Sequence, residues 1–593
     1  MSQIFSTTTF TVNQLIEKID TGELGLPELQ RPFIWKDSKV RDLFDSMLHG
    51  YPIGYLMLWE CPTLEKKKII GTEEHSYESP KEVIIDGQQR LTSLFAVIKG
   101  KKVLNSKYVE KAVVISFSPI QGAFEVRTSA TKRDPEWIYN ISEAYNTSSF
   151  KFINSFIKKL SEYREKNGEE LTEGEQEIIS DNINALINLK DCTLPVFSIK
   201  AYAEEEDVSE IFVRVNSGGV SLKQNDFILT LLSLYWDEGR KEIERFSQES
   251  TYPQKGKPTS YNQITEVTAQ DIIRVVMAYA FDRGRLKYGY KLLRGADFDK
   301  KGAIDIALRD ERFEILKEKL PDVLDVHTWH EFLKAVMSAG YLSGDMILSG
   351  NTIFYAYAFY LIANHRFGAS VNDNKHLTAL WIFFTLLTSI YTGSFESAVE
   401  GHLNSIKEIE TFEEYKKFIV DRVEERLTND YFDITLIGSE GLAVSGKGNN
   451  AWNAYVASLN ILQERVLFSK SSMLVSKLFE VGVDGNRKSL EKHHLFPKKY
   501  LKTLNYRDKE INQMANYAYI EWTDNAEILD EAPSKYYPII CEGRTEEEIL
   551  AMEKANALPH GWENMTYEEF LFERRKLMAE KIKEAFEVLK KNV

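Results

Sequence analysis

A long run of helical periodicity between about residues 236 and 440 most constrains the fold of this chain. Apolar residues recur there at helical spacing in segment after segment, at 268–279, 312–320, 329–337, 353–362 and 377–391. A chain of 593 residues is also too long for one hydrophobic core, and this length indicates about three or four domains. We therefore expect a multidomain α+β protein, divided at 1–235, 236–440 and 441–593.

The first part of the chain mixes the two kinds of secondary structure. Short β-forming runs predict strands at 81–86, 113–117 and 193–199, and apolar spacing predicts helices near 11–19 and 39–48. The segment 152–189 is polar with helical spacing, which indicates a helical insertion into an α/β core. Helices are predicted again at about 451–480.

Composition limits the class of protein. Apolar residues make up 43% of the chain and charged residues 27%, which is typical of a globular protein. The formal charge of −15 argues against a protein that coats nucleic acid non-specifically, but it does not exclude DNA binding through local basic patches. DNA binding would therefore depend on local basic patches beside motifs that could carry chemistry.

Several observations bear on the cellular compartment. The cysteines, Cys61, Cys192 and Cys541, are far apart and predict neither a disulfide framework nor a zinc site. The N-terminus has no basic segment followed by an apolar one, so a signal peptide is not expected. The most apolar stretch, 378–392, is too short to span a bilayer. The sequence predicts a cytoplasmic protein.

The histidine pair His493-His494 is the first candidate for chemistry, because adjacent histidines occur nowhere else among the ten in the chain. Leu-Phe-Pro follows directly, and Asn516 and Asn525 come later in a segment rich in β-formers. One imidazole can bind a metal while its neighbour takes a proton from water, which is the equipment for phosphodiester cleavage. A chance pair, a surface pair or a core histidine with an exposed neighbour is the alternative.

Two basic segments accompany this motif. Lys498, Lys499 and Lys502 follow the histidines directly in an otherwise acidic protein, and such a cluster suits a phosphate backbone. We predict that these lysines contact DNA. A second basic run at 574–591 is either another patch or the solvated face of a terminal helix.

A glycine-rich segment at 438–448 matches most of a P-loop, and 434–437 is a plausible strand before it. Gly448 stands where the magnesium-binding Ser or Thr belongs, and no helix-forming run follows at once. We therefore interpret this segment as a flexible linker.

A second constellation lies near the N-terminus. Residues 84–94 have the pattern strand, tight turn, helix, with Asp86-Gly87 at the turn and Gln88, Gln89 and Arg90 opening the helix. Unpaired N–H groups at a helix start and an arginine side chain together suit phosphate oxygens. Two companion motifs are Gln30-Arg31 between prolines and aromatics, and a strand with Arg214 and Asn216 that ends in Gly-Gly.

The three N-terminal motifs together resemble the nucleotide-binding module of GmrSD-like proteins, and the histidine region resembles their HNH nuclease module. The resemblance covers roughly 10–230 and 485–540. It implies a ParB-like (sulfiredoxin-like) α/β fold for the first region, and a C-terminal helical domain that carries a ββα-metal (HNH) motif. It also implies an NTP-dependent endonuclease that restricts modified phage DNA in bacteria.

The resemblance further implies a role for each matching residue. The nucleoside-triphosphate site would comprise Asp86, Gly87, Gln88, Gln89, Arg90, Gln30, Arg31, Arg214 and Asn216. His493 and Asn525 would hold a divalent metal, His494 would be the general base, and Asn516 would brace the histidine loop. Asn525 stands where many such nucleases have histidine, and its oxygen donor favours magnesium or manganese over zinc.

Two other functions remain open at this stage. One is a nucleotide-controlled DNA-binding or regulatory protein with an inactive HNH module, and the other is a ribonuclease toxin. One nuclease site cuts one strand, so a double-strand cut would need two chains or two events. A homodimer is therefore among the expected arrangements.

Overall fold

The computed structural model describes residues 4–25, 33, 35–60, 81–104, 110–203, 232, 236–254, 256–299, 305–445, 448–479, 491–520 and 530–593. The chain forms two compact units, Met1–Arg240 and Lys241–Val593. The helical middle of the sequence and the histidine pair both lie in the second unit. The division into three parts at 235 and 440 stays a prediction.

Strands are concentrated in the first unit. They are β1 (Phe5–Thr11), β2 (Leu24–Gly25), β3 (Leu56–Glu60), β4 (Glu82–Asp86), β5 (Lys102–Leu104), β6 (Glu110–Ala112), β7 (Ile115–Ser118), β8 (Ala123–Val126) and β9 (Thr193–Ile199), with β10 (Glu491–His494) and β11 (Tyr517–Ile520) in the second unit.

Helices make up most of the remaining described chain. They are α1 (Val12–Asp20), α2 (Asp37–Leu48), α3 (Gln88–Lys99), α4 (Ser129–Arg133), α5 (Ser142–Tyr145), α6 (Ser149–Lys166), α7 (Glu173–Asn188), α8 (Asp237–Glu249), α9 (Ala269–Phe281), α10 (Lys287–Arg294), α11 (Ile306–Leu324), α12 (Val326–Ser338), α13 (Gly350–Leu361), α14 (Val371–Thr388), α15 (Phe395–Ser405), α16 (Phe412–Arg426), α17 (Asn450–Ile461), α18 (Lys498–Thr503), α19 (Asp508–Ile511), α20 (Pro533–Ile540), α21 (Glu546–Ala555) and α22 (Tyr567–Asn592).

A mixed five-stranded sheet organises the first unit, in the order β1-β9-β3-β4-β2. β1 is antiparallel to β9, β9 is parallel to β3, β3 is antiparallel to β4, and β4 is parallel to β2. Apolar side chains of β3, β4 and β9, such as Leu58, Ile84 and Val196, pack into one core with α1 to α3. This arrangement brings the carboxyl end of β4 directly to the start of α3.

The strands and helices that were predicted on described residues of the first unit are confirmed, whereas the predicted strand that carries Arg214 lies outside the described residues. The predicted strands are β4, β7 and β9, the predicted helices are α1 and α2, and the predicted helical insertion is the pair α6 and α7. Local chemistry explains the start of α1, where Thr11 and Gln14 form a reciprocal capping box. The observed fold is α+β with a small mixed sheet near the N-terminus and a largely helical remainder.

The helices predicted for the middle of the chain are also confirmed, as α9, α11, α12, α13 and α14. The helices predicted at about 451–480 are only partly confirmed, because α17 ends at Ile461 and only a 3-10 turn, Val475–Phe479, comes later. Between them Gln463, Phe468 and Ser472 adopt positive φ, which an α-helix does not accommodate.

Two expectations for the glycine-rich segment and the residues before it are wrong. The segment expected to form a strand before the glycine-rich region is part of a π-helix, Tyr431–Thr435, so the strand that a P-loop requires is replaced. Leu442 is fully buried in that region, which contradicts a flexible linker there. The basic run at 574–591 is not a continuous surface patch, because Arg574 and Lys581 are buried in the face that α22 packs inward.

The apolar stretch at 378–392 lies in α14 and the turn after it, and side chains such as Trp381 and Phe383 are core residues. Across the residues described above, no helix combines the length and the apolar character that crossing a bilayer requires.

Candidate functional site

The histidine pair lies in a two-stranded antiparallel sheet of β10 and β11. These strands and the helical segment that connects them form the histidine hairpin. β10 carries both histidines and pairs with β11, so that His493 faces Ala518 and His494 faces Tyr517 across the ladder. β10 is followed by the buried residues Leu495, Phe496 and Pro497, and then by α18. Because His494 is the last residue of β10, its position depends on how this following turn is held.

Asn516 holds that turn. Its side chain is fully buried, its Oδ1 accepts from the Phe496 N–H at 2.8 Å, and its Nδ2 donates to the carbonyls of Phe496 and Ile511, both at 3.1 Å. The Leu495 N–H also donates to the Asn516 carbonyl at 2.8 Å. The geometry is that of a buried amide tying the turn after β10 to the residue that precedes β11.

His494 has two side-chain neighbours. Its Nε2 lies 3.0 Å from Oδ1 of Asn512, and its ring packs on Tyr517 with centroids 4.4 Å apart. Burial lowers the pKa of His494, the hydrogen bond to the Asn512 oxygen opposes this, and the charge of Lys498 lowers the pKa further. A neutral imidazole, the form that can accept a proton, is thereby favoured near neutral pH.

His493 is half-buried in the same strand. Its predicted co-ligand, Asn525, lies outside the described residues. Within the described part of the chain no three His, Cys, Asp or Glu side chains cluster in a way that could hold a metal ion. A metal ion held by one imidazole and one amide oxygen would take most of its remaining ligands from water and phosphate oxygens. Such coordination suits magnesium or manganese better than zinc in a closed structural site.

The three candidate DNA-binding lysines lie on α18, and each is paired with a carboxylate. Lys499 and Lys502 are exposed, and Lys498 is half-buried. Lys498 and Lys502 lie 3.3 Å and 3.6 Å from Asp508, and Lys499 pairs with Asp530. Exposed ion pairs contribute only about 0–1 kcal/mol, so a phosphate could replace these carboxylates at little cost. The local charge is nonetheless less positive than the sequence suggests.

One face of α22 supports the histidine hairpin. Tyr567, Phe570 and Arg574 lie at positions i, i+3 and i+7 of this helix, which is the spacing of one helical face. The Tyr567 hydroxyl donates to the carbonyls of Glu510 and Ile511 at 2.9 Å and 3.0 Å, and the Arg574 Nη1 donates to the Ala515 carbonyl at 2.7 Å.

The apolar and phenolic contacts complete this support. Phe570 packs on Phe496 with ring centroids 4.8 Å apart, and the Tyr536 hydroxyl of α20 donates to the Leu495 carbonyl at 2.5 Å. Sequence reasoning noted Tyr536 downstream of the histidine motif, but it did not assign the α22 residues or Asn512 to this site. The helical spacing of 567, 570 and 574 was a usable signal, but nothing in the sequence says which loop that face touches.

The N-terminal constellation forms a strand, turn and helix as predicted. Gly87 has φ +87° and occupies the N-cap of α3 without a side-chain cap bond. A Cβ at this position would lie 2.4 Å from Leu56 Cδ2 and 3.2 Å from the Tyr55 carbonyl oxygen, so only glycine fits. The absence of a side chain at Gly87 therefore lets the turn before α3 pass close to the backbone of Tyr55.

Arg90 is held against this turn. Its Nη1 donates to the Tyr55 carbonyl at 2.5 Å, and its guanidinium fills the space beside Gly54, where a Cβ would lie 3.0 Å from Nη2. Burial lowers the pKa of Arg90 and the nearby Asp86 opposes this, so the group remains a cation.

The two glutamines are also ordered by the backbone. The Gln88 Nε2 donates to the Ile84 carbonyl at 3.1 Å, and the Gln89 Oε1 accepts from the Trp35 N–H at 3.2 Å. Four of the other predicted ligands, Gln30, Arg31, Arg214 and Asn216, lie outside the described residues. The five predicted ligands from Asp86 to Arg90 thus lie around one turn.

Comparison with known proteins bears on the first unit most directly. Residues 12–233 match the family model of the GmrSD restriction endonuclease N-terminal domain. The matched range includes four of the five strands of the mixed sheet, all but β1, and the whole of α3. It supports the resemblance to GmrSD-like proteins.

A second similarity extends further along the chain. The sequence is 21% identical over 550 residues to the uncharacterized protein MJ0686 of Methanocaldococcus jannaschii, which covers 89% of this chain and 86% of that protein. The likeness therefore continues well beyond the N-terminal domain into the second unit.

Proposed function

We propose that this chain is an NTP-dependent DNA endonuclease of bacterial anti-phage defence that restricts modified phage DNA in the cytoplasm. The match of residues 12–233 to a restriction endonuclease domain supports a nuclease that acts on DNA. The geometry of the histidine hairpin supports an HNH module at 441–593 as the cutting site. A ParB-like nucleotide module at 1–235 and a helical connector at 236–440 complete the proposal.

The observation that carries the nuclease assignment is the placement of His494. A hydrogen bond to Asn512 and a ring contact with Tyr517 hold a histidine whose pKa is lowered, at the end of a strand that Asn516 braces. In the proposed reaction His494 takes a proton from a water molecule. The resulting hydroxide attacks the scissile phosphorus, and the bond to the 3′ oxygen breaks.

Asn516 has a supporting part in this proposal, since its bonds fix the turn that follows His494. His493 and Asn525 would hold a divalent ion, magnesium or manganese. When bound, such an ion supplies positive charge to the phosphate and to the departing oxygen. Lys498, Lys499 and Lys502 would contact the DNA backbone beside the site, and two such sites in a homodimer would cut both strands.

The N-terminal site is proposed to bind and hydrolyse a nucleoside triphosphate and so to control the nuclease. Arg90, the backbone around Gly87 and the start of α3 provide a cation and N–H groups for phosphate oxygens. Asp86, Gln88 and Gln89 surround the same turn, and Gln30, Arg31, Arg214 and Asn216 are proposed as further ligands.

The experiment measures cleavage of unmodified and modified phage DNA with magnesium or manganese, with and without nucleoside triphosphates. The variant His494→Ala should lose cleavage by at least about 10²-fold, the usual contribution of a general base, and should keep nucleotide hydrolysis. His327→Ala, which removes an exposed histidine from α12, serves as the matched control. Persistent cleavage by His494→Ala would refute the site.

The nucleotide site has its own test. Arg90→Gln should abolish nucleotide hydrolysis and the nucleotide dependence of cleavage, whereas Arg127→Gln, at an exposed position of the same unit, should change neither. Hydrolysis without cleavage of any DNA by the unaltered protein would instead indicate the regulatory alternative. Degradation of RNA but not DNA would indicate the toxin.

A further inference from the structure

Asn512 contacts the proposed general base, His494, but has no role in the reaction proposed above. It follows α19 directly, and its Oδ1 lies 3.0 Å from Nε2 of His494 and 3.1 Å from the hydroxyl oxygen of Tyr517. An amide oxygen only accepts hydrogen bonds. With the Asn512 amide in this orientation both neighbours donate to its oxygen, so Nε2 of His494 carries a proton.

A neutral imidazole carries a proton on only one of its two ring nitrogens, so the state of the second nitrogen follows from that of the first. With the proton on Nε2, Nδ1 carries the lone pair. Among the described residues no hydrogen bond to Nδ1 of His494 is present. We propose that Asn512 is a positioning residue that holds neutral His494 in the Nε2–H tautomer and leaves Nδ1 to accept the proton of the attacking water.

The acceptor itself is fixed in place. The Asn512 N–H donates to the Asp508 carbonyl at 3.0 Å, which closes the end of α19. The carbonyl of the preceding residue, Ile511, accepts from both Asn516 and Tyr567. Asn512 is thus attached, through Ile511, to the same hydrogen-bond network that holds the histidine turn.

Tyr517 holds the other side of this arrangement. Its ring packs on the His494 ring at an interplanar angle of 41°, and its hydroxyl shares the Asn512 oxygen. Tyr517 is also the β11 residue directly opposite His494 in the ladder. One residue pair across the strands therefore sets the tilt of the imidazole, while Asn512 sets which nitrogen bears the proton.

The tautomer assignment stands on the hydrogen bonds alone, whereas the role of Nδ1 in taking a proton rests on the proposed nuclease function. A reversed Asn512 amide would donate from Nδ2 to the histidine and would require the proton on Nδ1. The two arrangements differ in a measurable property, because protonated and unprotonated ring nitrogens have widely separated ¹⁵N chemical shifts.

The test is ¹⁵N NMR of the full chain labelled at histidine, with the His494 signals assigned by their loss in His494→Ala. The unaltered protein should show a protonated Nε2 and an unprotonated Nδ1. Asn512→Ala should give a mixture of tautomers. Asn512→Asp keeps an acceptor oxygen in place but raises the pKa of His494, so it should restore the single form at a pH above that pKa. Asn564→Ala, at an exposed asparagine, should leave the spectrum unchanged.

Cleavage kinetics provide the second readout. Asn512→Ala should lower kcat about 10–100-fold with little change in KM for DNA, and Asn512→Asp should recover most of this loss. A protonated Nδ1 in the unaltered protein, or an unchanged tautomer and kcat in Asn512→Ala, would overturn the inference. Absence of cleavage by the unaltered protein would refute the proposed function instead, since the NMR result does not depend on activity.

Discussion

Asn516 hydrogen-bonds both backbone groups of Phe496, accepting from its N–H and donating to its carbonyl. The buried side-chain amide thus pairs with the Phe496 N–H and carbonyl in the way that a neighbouring strand would. The pairing links the two parts of the hairpin more tightly than the short β10–β11 ladder does alone.

Replacing Asn516 should therefore destabilise the second unit. Asn516→Ala leaves the two Phe496 backbone groups without this partner, and we expect a loss of about 2–4 kcal/mol in the free energy of unfolding. Urea unfolding measures the change. Asn564→Ala provides the control, because Asn564 is exposed and its side chain donates to the carboxylate of Glu563, the preceding residue. Equal effects of the two substitutions would contradict the bracing role.

Phe570 and Phe572 of α22 offer a matched comparison. Phe570 is fully buried against Phe496, whereas Phe572 is 47% exposed. Phe570→Ala should reduce the free energy of unfolding by about 3–5 kcal/mol and should reduce DNA cleavage through the histidine turn. Phe572→Ala should change stability by less than about 1 kcal/mol. The comparison fails if both variants unfold at the same urea concentration.

Gly87 should tolerate no side chain. Gly87→Ala combines a positive φ with a methyl group that meets Leu56, whereas Gly168→Ala introduces a positive φ of +79° with nothing within 4 Å. The control should lose about 1–2 kcal/mol from the backbone strain alone. Gly87→Ala should lose several kcal/mol more and should bind nucleotide weakly, as thermal unfolding and nucleotide titration would report. Similar melting temperatures for the two variants would exclude the steric explanation.

His402 should make the second unit less stable in acid. Its Nδ1 lies 2.9 Å from the Tyr391 hydroxyl, and burial, aided by the charge of Arg422, lowers the pKa of His402 to about 4. The unfolded chain, with a pKa of about 6.5, binds more protons between these values. Stability should therefore fall as pH drops from about 6.5 to about 4.

The pH dependence can be assigned to this histidine by substitution. His402→Gln should flatten the fall in melting temperature across that pH range, while His327→Gln, at an exposed histidine, should retain it. An unchanged slope in His402→Gln would assign the acid sensitivity to other groups.

The local parts of the fold were predictable because their signals are local. The strand Glu82–Asp86, the turn at Gly87 and α3 follow from residue types within a few positions, and so do the caps and apolar faces of the middle helices. Arg574 shows the limit of such reasoning. Its position in a basic run indicated solvent or DNA, but tertiary packing buries it against the Ala515 carbonyl.

The candidate site was predictable in part for the same reason. The adjacency of His493 and His494 and the presence of Asn516 are visible in the sequence. The contact between Asn512 and His494 is not, because it depends on the return path of the chain through α18 and α19. The carboxylates that pair with Lys498 and Lys499 were equally hidden, since Asp508 and Asp530 come from later turns.

The support of the hairpin by α22 has a consequence for how the protein is made. Tyr567, Phe570 and Arg574 leave the ribosome after the histidine turn that they hold, by several seconds at about 5–20 residues per second. A nascent chain that already displays His493 and His494 thus lacks the braces at Ile511 and Ala515. Completion of the site is deferred until α22 has emerged, so an unfinished chain presents the histidines without the geometry that would let them act.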